Sequence, residues 1–122
     1  MAQARKAYEI GNPALRSPRS TEYEAFARVT RALKSAASRD APGKSETIRA
    51  LHENRRLWTL LAASVADDDN GLPDDLRARL FYLYEFTTVH TRRVLRGEAG
   101  IDPLVDVNAA VMAGLRGPGG GT

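Results

Sequence analysis

The sequence contains no cysteine, which excludes a disulfide framework, a thiolate nucleophile and a cysteine-based zinc site and fits a reducing compartment. Long apolar runs are missing too. Arg, Glu, Asp or His interrupts each candidate window before 18 residues, so no stretch reads as membrane-spanning. The opening residues, Met1-Ala-Gln-Ala-Arg-Lys-Ala-Tyr8, lack the apolar segment of a signal peptide. A soluble, cytoplasmic chain is the expectation. Histidine occurs twice, as His52 and His90 on different helical stretches, and without cysteine these cannot complete a tetrahedral metal site unless the fold supplies carboxylates. His52-Glu53-Asn54-Arg55-Arg56 starts like a zinc-protease helix, but Arg56 stands where the second histidine must coordinate metal. Asp67-Asp-Asp-Asn70 is followed by Gly71 and Leu72 where a calcium loop needs oxygen ligands, and no Glu closes it. No glycine-rich phosphate loop follows a strand, and no Gly-x-Ser-x-Gly elbow occurs. Catalysis, a metal and a cofactor are therefore not expected.

What is present suits one small helical domain. At 122 residues, 43% hydrophobic and 27% charged, the chain can bury enough apolar surface to fold but has no room for a second core. The net charge of +3 is an N-terminal feature: residues 1–20 hold four basic residues against one acid, and the rest nearly balances. Further along, arginines are interleaved with acids, as on a solvated helix face, and no basic stripe with stacking aromatics appears. That pattern weighs against direct nucleic-acid binding.

Residues 1–20 read as an irregular arm, broken by Gly11, Pro13 and Pro18, in which Tyr8, Ile10 and Leu15 are apolar. A bundle domain over residues 21–116 follows. Thr21-Glu-Tyr-Glu24 has capping-box spacing and predicts a helix to about Ala37, with Tyr23, Phe26, Thr30 and Leu33 on its apolar face. Ser45 caps a second helix whose stripe is Ile48, Leu51, Trp58, Leu61 and Val65, widened by Leu57, Leu60 and Ala62. Pro73, as first helical residue, opens a third helix with Leu76, Leu80, Leu83, Tyr84, Thr87 and Val94 inward, broadened by Phe81, Phe86 and Leu95 and stopped at Gly97. Asp102-Pro103 caps a fourth helix bearing Leu104, Val105, Asn108, Val111, Met112 and Leu115. The glycine-rich residues 117–122 read as a flexible tail. No period-two alternation appears, so the expected fold is all-α, a bundle of about four helices.

Asn54, His90 and Asn108 interrupt apolar faces. A buried amide or imidazole is costly unless hydrogen-bonded, so a structural partner is expected for each, with contact to another protein as the alternative. The stripes on the second and third helices also offer more apolar face than a small bundle covers. That leaves room for a groove of the kind that receives an amphipathic helix.

Asn54-x-x-Leu57-Trp58, Asn70-x-Leu72-Pro73, Leu76-Arg77-Ala78-x-Leu80, His90, Val94-Leu95 and Gly97 occur in order. Asp106-x-Asn108-x-x-x-Met112-x-Gly114-Leu115 closes the run, and Ala7-Tyr8, Pro18-Arg19 and Glu22 through Phe26 precede it. This succession resembles the FlaF family of flagellar biosynthesis regulators, over nearly the whole chain except the tail. The resemblance implies a cytoplasmic, non-enzymatic protein that supports flagellin production and export. It would act as a flagellin-binding secretion chaperone and work with or against the regulator FlbT. The alternative it leaves is post-transcriptional regulation of flagellin synthesis, through FlbT or directly on flagellin mRNA, with Arg5, Lys6, Arg16, Arg19, Arg92 and Arg93 as the RNA-contacting groups. Candidate partner-binding residues are Asn54, Leu57, Trp58, Phe81, Tyr84, His90, Asp106, Asn108 and Met112.

Overall fold

The computed structural model describes residues 18–38, 44–67 and 71–116. The arm at 1–17, the segments 39–43 and 68–70, the side chains of residues 18–21, 115 and 116 and the tail at 117–122 lie outside the described residues. Four helices follow one another, α1 (Pro18–Ser38), α2 (Lys44–Ala66), α3 (Asp74–Leu95) and α4 (Asp102–Arg116), and no strand occurs among the described residues.

The helix starts differ from the expected ones by one to three residues. Helix α1 begins at Pro18, which suits a first helical position, so Thr21 lies inside its first turn instead of capping it. Ser45 is likewise already helical. Pro73, expected as the first residue of α3, is its N-cap: extended at ψ 149°, it accepts the Arg77 amide at 3.0 Å through its carbonyl. At α4 the carbonyl of Ile101 takes that role, accepting from Leu104 at 2.8 Å, and Asp102 becomes the first helical residue with its charge toward the positive end of the dipole.

The end of α3 falls where expected, and the reason is visible. Gly97 adopts φ +76°, its amide donates to Val94 O at 3.0 Å and the Glu98 amide donates to Arg93 O at 2.8 Å. These two bonds form a Schellman stop, which satisfies carbonyls that the helix itself leaves open and turns the chain toward α4.

Helix α1 packs against α2 and α4, and α3 packs chiefly against α2. Helices α3 and α4 meet sparingly, and α1 and α3 make no close backbone approach. Leu33 and Ala36 of α1, Ala50 and Leu51 of α2, and Ile101 and Leu104 form the buried cluster, with Val94 and Val105 against it. That cluster lies at one end of the bundle, where the 96–101 corner brings α3 and α4 together. The peripheral place of α3 leaves its outer face open, so Tyr82 and Val89 are exposed. Five residues expected on buried stripes are also exposed: Ile48, Leu60, Leu76, Phe81 and Leu95. Leu60 stands about 200° round the helix from Trp58, so it faces away from the core.

Candidate functional site

Away from the 96–101 corner the helices diverge. A hollow of about 550 Å³ opens between the start of α1, the end of α2, the first half of α3 and the last turns of α4. Leucines at positions 72, 76, 80 and 83 form one wall, Leu61 and Val65 the second, Phe26 and Val111 the rest. Ala110, Gly114 and Ser64 contribute little side-chain volume, so the space between the walls stays unfilled. Glu22 and Arg79 are the charged residues in the lining.

Arg77, outside the lining, joins two of the helices that form it. Its guanidinium donates from Nε to Val65 O at 3.0 Å and from Nη2 to Ala66 O at 3.5 Å, and it lies 3.7 Å from Asp74. A cation placed on the last carbonyls of α2 answers both the open acceptors and the negative end of the helix dipole. Through this contact the end of α2 is tied to the start of α3 across the Gly71 turn, where φ is +80°.

Beside the hollow, in the middle of the bundle, sits a buried polar network. Trp58 Nε1 donates to Asn108 Oδ1 at 2.9 Å, and Asn108 Nδ2 donates to Asn54 Oδ1 at 2.8 Å and to Thr30 Oγ1 at 3.2 Å. One carboxamide therefore joins α1, α2 and α4. Phe26 meets Trp58 edge to face, with centroids 5.6 Å apart, so the wall of the hollow rests directly on the network. Asn54 Nδ2 and Thr87 Oγ1 are buried without a partner. His90 Nε2 donates to Gly100 O at 2.8 Å, with Phe86 stacked on its ring, which braces the 96–101 corner.

Of the nine candidate residues, Asn54, Trp58, His90 and Asn108 are buried, and each has a hydrogen bond that accounts for its place. Leu57, Tyr84 and Met112 are half-buried, while Phe81 and Asp106 are exposed. None of the nine lines the hollow. Of the residues that do, Leu61, Val65, Leu83 and Val111 were visible in the sequence as ordinary stripe positions, Phe26, Leu76 and Leu80 as both stripe and motif positions, and Glu22, Leu72 and Gly114 only within the motif succession. The one available signal was the pair Ala110 and Gly114, small residues four apart on a helix otherwise rich in Leu, Val and Met.

Among the described residues no helix is long and apolar enough to cross a membrane, and no three His, Asp or Glu side chains converge as a metal site would require. No curated protein and no solved structure matches the chain. The family model described as "Flagellar protein FlaF" matches residues 4–115, nearly the whole length. The matched span takes in every residue that lines the hollow, the network beside it and most of the arm: the chain belongs to the FlaF family of flagellar proteins.

Proposed function

We propose that this flagellar protein is a cytoplasmic flagellin-binding chaperone that acts by binding and not by catalysis, taking an apolar helical segment of flagellin into the hollow before export. The observation that carries this reading is the hollow itself: leucine and valine walls from three helices, left open, with charge at the rim. An amphipathic helix laid there buries its apolar face through side chains spaced three and four apart, while its polar face stays in water. Each Leu-sized anchor so buried contributes on the order of 1.5–3 kcal/mol before the cost of ordering is subtracted.

Purified flagellin should co-elute with the protein as a one-to-one complex at roughly micromolar concentration. Salt should change the affinity little, because apolar burial dominates. Ala110→Leu, which puts a bulkier side chain into the lining, should weaken co-elution; Leu60→Asp, on the exposed far side of α2, should leave it intact. Absence of a complex, or a complex indifferent to Ala110→Leu, overturns the reading. Retention of FlbT without flagellin would replace it with regulation through FlbT. An RNA complex whose affinity falls steeply with salt would replace it with direct control of flagellin mRNA. The exposed Arg92 and Arg93 that such a mode would use lie in the last turn of α3, where positive charge already suits the helix dipole.

A further inference from the structure

We infer that in the free protein the hollow is covered by the chain's own N-terminal arm, with residues 8–15 seated on the α2, α3 and α4 walls through Tyr8, Ile10 and Leu15. Three observations converge on this occupant. The first is position: α1 starts at Pro18, and Glu22 and Phe26 in its first two turns already line the hollow. The arm is thus delivered to the opening, and its 17 residues can span up to about 55 Å against the roughly 12 Å from Pro18 to Phe26 along the helix.

The second is chemistry. Of the segments outside the described residues, 39–43 reads Arg-Asp-Ala-Pro-Gly, 68–70 reads Asp-Asp-Asn and 117–122 reads Gly-Pro-Gly-Gly-Gly-Thr. The arm carries large apolar side chains suited to leucine walls, and those segments carry none. The third is charge. Glu22 lies in the lining, Asp67, Asp74 and Asp75 stand next in sequence to the end of α2 and the start of α3 whose Val65, Leu72 and Leu76 line it, and the arm carries Arg5, Lys6 and Arg16. The opposite pairing is also available, Glu9 of the arm with Arg79 of the lining. Such complementarity steers a tethered segment to one face and fixes its direction.

Seated this way, the arm is an intramolecular competitor for any helix that enters the same hollow. The seating stands on the free protein alone; the effect on partner affinity rests on the flagellin reading above. If the arm covers the hollow about nine-tenths of the time, releasing it tightens apparent binding about tenfold.

The absence of cysteine allows a single-site label. A nitroxide on Asn12→Cys in the full chain should broaden the NMR signals of Leu61, Leu80, Leu83 and Val111 strongly, and those of Ala50, Leu51 and Leu104 weakly. A tethered but unseated arm would also favour the near end, so the deciding comparison is the same label in the Tyr8→Ser, Ile10→Ser, Leu15→Ser variant. Loss of most of the hollow's broadening in that variant supports seating; an unchanged pattern overturns it. The three substitutions lie outside the described core, and an unchanged melting temperature checks that the bundle persists. Flagellin binding separates the two readings. Tightening of about tenfold in the triple variant supports both. Seating without any flagellin complex leaves the arm proposal standing and removes the chaperone reading, and a flagellin complex with no seating does the reverse.

Discussion

The two ends of this bundle are built from the same helices and differ in how they close. At one end Leu33, Leu51, Ile101 and Leu104 interlock, and the Schellman stop at Gly97 with the His90 bond to Gly100 brings α3 onto α4. At the other, α3 has moved away from α1 and α4, and leucines of similar type face empty space. Apolar content does not separate the ends. What separates them is a short corner that forces two helices together and, opposite it, small residues at 64, 110 and 114 that leave the gap unfilled.

The largest test of this contrast pairs Leu51→Ala with Leu80→Ala. At the closed end the truncation leaves a cavity and should cost about 3–4 kcal/mol in denaturant unfolding. On the wall of the hollow, where the side chain is half-buried, it should cost about 1 kcal/mol or less. Equal losses would mean the open end is as tightly packed as the other. Next comes Asn108→Ala, which strands Trp58 Nε1, Asn54 Oδ1 and Thr30 Oγ1 together; a loss of roughly 3 kcal/mol is expected, with Trp58 fluorescence altered in the native state. Gly97→Ala should cost about 1–2 kcal/mol through its left-handed backbone alone, since an added Cβ meets nothing within 4 Å. The smallest effect has the opposite sign. Gly114→Ala, in a helix and also with open space around it, should raise stability by about 0.5–1 kcal/mol in thermal unfolding. A destabilising Gly114→Ala would show that the hollow is closer to full than its volume indicates.

Four helices, their apolar faces and the Gly97 stop were legible in the sequence because each is a local pattern. The inward positions of Phe26, Thr30, Leu33, Leu51, Trp58 and Leu104 follow from three-and-four spacing. The pairing of Asn108 with Asn54 and Thr30 does not, since those partners lie 54 and 78 residues away. Sequence reasoning could say that each amide needs a partner, and the fold alone says which. The same limit explains the candidate site. Polar residues on apolar faces, such as Asn54, His90 and Asn108, attract attention as contacts for a partner, yet their bonds turn inward. The hollow arises where α3 packs on α2 but stands off α1 and α4, which no stripe records, and its leucines look like any core leucines. Arg77 was visible only as part of a motif; its work on the Val65 and Ala66 carbonyls needed the α2–α3 corner to be known.

The Asn108 carboxamide fixes the rotational phase of three helices, because turning any of α1, α2 or α4 would leave an amide or indole hydrogen facing hydrocarbon. Helix α3 has no share in that constraint. Its described side-chain bonds to the rest of the molecule lie toward its ends, at Arg77 and His90, and the span between them rests on apolar contact. Apolar contact is non-directional, so a small tilt of α3 changes buried area gradually and breaks no bond along that span. The gap beside it can therefore widen to admit a bulkier side chain at low energetic cost, while the other three helices keep their mutual orientation.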